Sequence, residues 1–216
     1  MPPRRSVPAA KPPVSDIPDT TALRSHMGAI SGIAARKVLP HLDRHARAFI
    51  ALSPFLVLAT ADAEGRVDAS PRGDPPGFVR VLDDSTLLLP DRPGNNRVDS
   101  FGNILATPGV GLIFFVPGID ETLRVNGTAR LLTDAALLAE SAVLGKLPKT
   151  GLVITVAEVF FHCAKALRRA QLWNPAAQIE RSSFPSLGRI MAEQVGGSTV
   201  EEAEHRIAAS YRERMY

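Results

Sequence analysis

The sequence predicts a mainly β fold: an antiparallel barrel of about six strands or slightly more, with helices at its periphery. Three observations point there. Short runs of aliphatic and branched residues recur between Phe55 and Leu167. Turn residues separate them at hairpin distances. The gaps are too short for the crossover helices that a doubly wound parallel sheet requires. With aromatics at only 6% of 216 residues, the core is expected to be built of Val, Leu, Ile and Ala.

The elements follow in order. Residues 1–18 hold six prolines and almost no large apolar residue, the composition of a disordered, polyproline-like tail. Residues 20–52 read as helical, with Asp19, Thr20 and Thr21 as candidate N-caps. Pro40 suits the first turn of a second helix, whose apolar stripe would be Leu42, Ala46, Phe49 and Ile50. FLVLATA and RVDASPR are two strands around the turn Asp62–Gly65, and FVRVL and TLLLP are two more around Asp83-Asp84. VGLIFFVPG and ETLRVNGTARLL form a further pair. GLVITVAEVFFHCAKAL is a long last strand. Short helices are expected over 96–106 and 134–144. After Trp173, FPSLGRIMAEQV and STVEEAEHRIAASYRERMY are helical, the second starting at Ser198 with Glu201 or Glu202. The domains are therefore a tail over 1–18, a barrel with its N-terminal helices over 19–175, and a helical extension over 176–216.

Composition excludes several classes. No apolar run approaches the ~20 residues of a membrane span, and the basic N-terminus lacks a signal-peptide core. Cys163 is the one cysteine, so neither an internal disulfide nor a cysteine zinc site is available, as fits a reducing cytoplasm. A structural, buried thiol is expected there. The net charge of +3 comes from 25 basic against 22 acidic residues. They are dispersed, which argues for a local anion site and against a nucleic-acid face. His41 and His45 stand i,i+4, but no acidic HExxH core accompanies them, and a solvated helix face is the reading.

LLLPDRPGNNRVDSFGNIL carries the most chemistry. A strand ends at Pro90, a Gly-Asn-Asn loop follows, and a helix is expected near Asn96. Helix N-termini favour phosphate, and Arg97 would add a fork of donors in the first turn. Arg92 and Asn95 are within reach of the same anion. An ordinary loop with a solvated arginine is the other reading. Ser70 and Arg72 close a strand that would converge on the same anion if it lay beside strand 86–90. Thr122, Arg124 and Asn126 share one strand face. Trp173 reads as a core or interface aromatic, or as a wall over a planar ligand. Catalytic residues are not recognisable, and no metal site is expected.

The order of these pieces resembles the pyridoxamine 5'-phosphate oxidase-like family of FMN-binding split barrels, from about Ala46 to Trp173. FLVLATADAEGRVDASPRGD resembles that family's first hairpin, and TLLLPDRPGNNRVDSFGNILATPGVGLIFFVPG its strand, phosphate loop, helix and next strand. With HCAKALRRAQLW, the pattern resembles a subgroup of probable FMN-dependent enzymes. The resemblance implies an antiparallel split barrel and a homodimer binding FMN at its interface. It implies an oxidoreductase acting on an unidentified small molecule. It places Asn95, Asn96 and Arg97 on the phosphate run, Ser70 and Arg72 on a flavin-contacting strand, and Leu89 and Pro90 beside the isoalloxazine. Thr122 and Arg124 fall on the next flavin-contacting strand, with Lys165 and Trp173 acting from the partner subunit. Trp173 is followed by NPAAQIERSSFPSLG, without the Arg-x-His that holds the substrate phosphate in true pyridoxamine-phosphate oxidases, so a vitamin B6 substrate does not follow. The alternatives are a flavin or haem binding module without turnover, or a deazaflavin-dependent reductase.

Overall fold

A computed structural model describes residues 16–216. The tail expected over 1–18 lies, as far as residue 15, outside the described residues. The chain divides between Arg36 and Lys37 into two compact units. The first holds α1 (Thr20–Met27) and α2 (Gly32–Arg36). Asp19 caps α1 by accepting the Ala22 N–H at 2.8 Å, and Gly28, at φ 80°, ends it.

The second unit begins with α3 (Arg44–Leu52). Seven strands follow: β1 (Phe55–Ala61), β2 (Val67–Gly73), β3 (Arg80–Val81), β4 (Thr86–Pro90), β5 (Gly109–Phe115), β6 (Thr122–Leu132) and β7 (Gly151–His162). Helix α4 (Asp99–Ala106) joins β4 to β5, and α5 (Ala135–Ala139) lies between β6 and β7. Helices α6 (Lys165–Ala170), α7 (Leu187–Val195) and α8 (Val200–Glu213) follow the sheet. Every pairing is antiparallel, in the order β2-β1-β5-β6-β7-β4-β3. The end strands β2 and β3 do not pair with each other, so the barrel is split, as expected.

Alternation decides which face is inside. Leu56 and Leu58 of β1, Val110, Leu112 and Phe114 of β5, and Leu123 and Val125 of β6 point into one buried cluster. The stripe expected on α3 closes it: Leu42, Ala46, Phe49 and Ile50 are all buried there. Along β7 the alternation breaks. Leu152, Ile154 and Val156 face inward, then Val159 does. The pairing of β7 with β6 shifts between Asn126↔Glu158 and Gly127↔Val156. The extra residue is a β-bulge, which restores the apolar face after Ala157 and bends the sheet. Gly127 is required at this point, because a Cβ there would lie 2.0 Å from the Thr155 carbonyl oxygen.

Several boundaries differ from expectation, for local reasons. The helix expected from Pro40 begins at Arg44: Leu39 exchanges backbone hydrogen bonds with Val159 of β7 at 3.0 and 2.8 Å, and Asp43 then caps α3 through the Ala46 N–H at 2.8 Å. His41 thus precedes the helix, and the i,i+4 helical spacing with His45 is not formed. The helix expected over 96–106 begins at Asp99, because Asn96 (φ 56°) and Val98 (φ 52°) adopt left-handed backbone that no α-helix contains. The helix expected over 134–144 stops at Ala139. The last strand ends at His162, so Cys163 lies beyond the sheet and is exposed rather than buried. Thr199, not Ser198, caps α8, in a reciprocal box with Glu202. Among the described residues no helix is long and apolar enough to cross a membrane.

Gly127→Ala is expected to destabilise the protein by about 3 kcal/mol, the upper end of ordinary overpacking. Gly102→Ala, inside α4 with nothing within 4 Å of the new Cβ, should stabilise it by about 0.5–1 kcal/mol. Paired urea unfolding curves check both signs.

Candidate functional site

A cleft of about 600 Å³ lies between the end strand β2 and the loop that follows β4, within the size range of small-ligand sites. Its walls are the end of β2, the loop from Pro90 to Val98, the start of α4, and Met215 with Tyr216.

Strand β2 supplies the first wall because it alternates the opposite way from a core strand. Asp68, Ser70 and Arg72 are half-buried on its inward face, while Ala69, Pro71 and Gly73 are exposed. They pair with Thr60, Leu58 and Leu56 of β1, so an inner face that is apolar on β1 turns polar at this edge. This strand does not pair with β4, the condition on which the sequence reading made the convergence depend. The two ends meet through side chains instead: Arg72 Nη1 donates to Asp91 Oδ1 at 3.0 Å. The Arg72 guanidinium also lies 5.6 Å from the Phe101 ring. Its Nε–H is buried and finds no acceptor among the described residues.

The loop supplies the second wall. A β-branched residue at positive φ is strained, and such strain persists only where surrounding structure imposes it. Val98 occupies that conformation at the N-cap of α4, whose first turn has no capping side chain among the described residues. Polar contacts pin α4 against β1 and β2: Ser100 Oγ donates to Asp68 at 2.6 Å, and Asn103 Nδ2 to Thr60 at 3.0 Å. Asn95 folds its amide oxygen onto the Arg97 N–H at 3.1 Å.

Each arginine of the cleft has an aspartate partner, but the three pairs are held differently. Arg92 Nε donates to Asp74 Oδ2 at 2.5 Å; the Asp74 side chain is 1% exposed. Arg92 Nη1 donates to the Ser141 carbonyl at 2.9 Å. Arg92, expected to reach an anion, is instead a brace under the loop. Arg97 is the opposite case. It lies just ahead of α4 rather than in its first turn, its side chain is 72% exposed, and it pairs with Asp99 at 2.7 Å. Arg72–Asp91 is intermediate. Burial pushes the Asp91 carboxyl above its ordinary value, with Arg72 opposing.

The cleft thus gathers Ser70, Arg72, Pro90, Asn95, Asn96 and Arg97. Leu89 turns into the barrel core beside it, 2% exposed. Thr122, Arg124, Lys165 and Trp173 lie elsewhere, around the start of β6 and the end of β7. Thr122 pairs with His162 and is buried. Arg124 faces outward, 5.3 Å from the Phe160 ring. Lys165 is exposed in α6, and Trp173 is half-buried with its indole N–H donating to the Ile119 carbonyl at 2.9 Å. Sequence reasoning passed over Asp68, Asp74, Asp91, Asp99 and Tyr216. Asp74, Asp91 and Asp99 stand beside the arginines in PRGD and DRPGNNRVD, and Asp68 stands four residues before Arg72, a visible signal; Tyr216 carries none.

The model of the pyridoxamine 5'-phosphate oxidase family matches residues 42–163. This covers more than half of the chain, and the chain belongs to that family. No curated protein matches it. Among solved structures it is similar to HupZ of Group A Streptococcus, with 20% identity over 56% of this chain and 93% of that one, TM-score 0.45. It is similar to an FMN-binding protein from Syntrophomonas wolfei subsp. wolfei, with 18% identity over 55% and 84%, TM-score 0.45. A NimC/NimA family protein from Clostridium acetobutylicum shows 16% identity over 56% and 88%, TM-score 0.42.

The raised Asp91 carboxyl has a testable sign. A carboxyl whose folded pKa exceeds its unfolded one holds more protons in the native state. Its stabilising contribution is then full below the unfolded value and is lost as pH rises through the folded value. Asp91→Asn should therefore gain stability relative to wild type as pH rises from about 4 towards 7. Urea unfolding of both proteins across that range measures the difference; a constant gap would contradict the assignment.

Proposed function

We propose that this protein is an FMN-binding flavoprotein of its family, an oxidoreductase acting on an unidentified small molecule. The observation that carries the reading is the convergence of Ser70 and Arg72 with Asn95, Asn96 and Arg97 on one cleft, where a buried Arg72 Nε–H finds no acceptor among the described residues. An orphaned charged donor in a polar, ligand-sized cleft fits an anionic group.

In this reading Arg97 and the amides at the start of α4 hold the phosphate, with the Asn95 and Asn96 side chains beside them. Arg97 is the mobile cation, since an exposed pair with Asp99 is easily exchanged for a phosphate. Ser70 and Arg72 reach the same ligand from β2, and Pro90 presents backbone without an N–H. FMN, when bound, supplies a two-electron carrier. The chain's residues bind it, orient it and exclude water from one side of it.

The protein acts as a homodimer in the same proposal. The outward face of β1 and β5 leaves Phe55, Val57, Ile113 and Phe115 partly exposed, an apolar surface that calls for a cover. Covering it with a second copy would let Thr122, Arg124, Lys165 and Trp173 of one protomer approach the cleft of the other. The small-molecule substrate would enter from that side. Residence in the cytoplasm accords with an exposed, lone Cys163.

The test is absorbance of the purified protein followed by FMN titration of the apo form. A flavin spectrum is expected; a Soret band, a deazaflavin spectrum or no uptake would each refute the reading. Arg97→Ala should weaken FMN about 10- to 100-fold, the loss of one charge-assisted hydrogen bond. Asp99→Asn, which releases Arg97, should leave binding equal or tighter. In sedimentation across a dilution series, FMN should shift dissociation of the dimer to lower concentration.

A further inference from the structure

The buried aspartate at the base of the phosphate loop is incompletely served by the loop itself. Asp74 Oδ2 takes the Arg92 Nε–H at 2.5 Å, and the Asp74 N–H is spent on the Pro54 carbonyl at 3.0 Å. The other carboxylate oxygen is satisfied from the far end of the chain. Tyr216 Oη donates to Asp74 Oδ1 at 2.7 Å, across 142 residues of sequence. The Tyr216 ring lies 5.8 Å from the Arg92 guanidinium, which closes a triangle of tyrosine, aspartate and arginine. Asp74 beside it pushes the phenol above its ordinary pKa, so it remains a donor at neutral pH. The Tyr216 carbonyl accepts from Lys146 Nζ at 2.8 Å, which fixes the segment on a second side. Arg92 in turn stands two residues before Gly94-Asn95-Asn96-Arg97.

We propose that Tyr216 is a positioning residue for the phosphate end of the cleft: its hydroxyl completes the Asp74–Arg92 pair and so holds the loop 91–98 in its anion-ready shape. An ionised carboxylate buried with one oxygen unserved is unstable in place. Without the phenol, Asp74 is drawn towards water, and Arg92 and the loop are drawn with it. The strained backbone at Asn96 and Val98 makes the loop sensitive to this release, since such conformations persist only under external constraint. Tyr216 does not contact the ligand in this role; it acts through Asp74 and Arg92. The part of the proposal that concerns FMN rests on the flavin reading above, while the part that concerns the loop does not.

The experiment uses the full chain and separates the two. Amide hydrogen exchange of the apo protein reads the loop directly. Tyr216→Phe, which keeps the ring and removes only the hydroxyl, should speed exchange about tenfold at the loop amides that have acceptors, Asp91 on the Thr150 carbonyl and Arg97 on Asn95 Oδ1, with β1 and β5 unchanged. Tyr216→Leu should do the same. In an Asp74→Ala background, Tyr216→Phe should add little, because the acceptor that needed the phenol is gone. FMN affinity should fall about 3- to 10-fold in Tyr216→Phe. Loop exchange at the wild-type rate in Tyr216→Phe would overturn the proposal, since packing of the ring would then be its whole role. Tighter FMN binding in either variant would also overturn it, showing that the segment obstructs the cleft. If the wild-type protein takes up no FMN, the flavin reading fails while the exchange result still decides the role of Tyr216.

Discussion

The structure turns on an edge that does not close. Six of the strand contacts in the sheet are backbone ladders, but the return from β4 to β2 is made by charged side chains. Strand β2 is the reason. Where β1, β5 and β6 turn leucine, valine and phenylalanine inward, β2 turns Asp68, Ser70 and Arg72. Burying that face under a neighbouring strand would strip water from charges with nothing to replace it. An opening bridged by Arg72–Asp91 serves part of that face, leaves the Arg72 Nε–H without an acceptor among the described residues and leaves a polar cleft. The Arg92–Asp74 pair then anchors the loop behind it. A pair so deeply buried lends little net stability, but loss of either partner is expected to cost about 3–5 kcal/mol. The loop is therefore tied firmly at its base and loosely at its tip.

That gradient organises the electrostatics of the site. Three arginines face three aspartates at increasing exposure, from Arg92 through Arg72 to Arg97. The innermost pair is architecture, and the outermost is a reserve of positive charge that solvent already screens. Arg92, in a sequence full of arginines near a glycine-asparagine loop, lines the cleft and braces the loop. Its donors point back into the protein, to Asp74 and Ser141.

Much of this was legible before any coordinates. The inward stripe of α3 followed from helical spacing at Ala46, Phe49 and Ile50, while Leu42, expected on the same stripe, is buried just ahead of the helix. Gly94, Asn95 and Asn96 between a strand and a helix marked the loop, and SPRGD marked the strand end that joins it. The misread boundaries share a cause. Pro40 is acceptable in a first helical turn, yet Leu39 is claimed by a backbone bridge to Val159. Asn96 and Val98 are tolerable in a helix by propensity, yet the loop holds them left-handed. Local preference is worth a fraction of a kcal/mol per residue and yields to such contacts. The break in β7 was not read from the sequence, because it depends on the partner strand that Gly127 allows to approach.

The sequence by itself determined the family, the antiparallel class, the helical and strand faces and the loop that ends at Arg97, because periodicity, turn chemistry and short motifs act over a few residues. Only the tertiary structure decided which groups share a site. It set Ser70 and Arg72 against the loop without a strand pairing between β2 and β4 and put Arg124 and Trp173 away from the cleft. It assigned an aspartate to each arginine and brought Tyr216 to Asp74. Such encounters depend on how far a curved sheet closes and where its chain ends return. That closure is set by the sum of core packing and by the cost of burying the charges on β2, quantities that belong to the folded chain and to no segment of it.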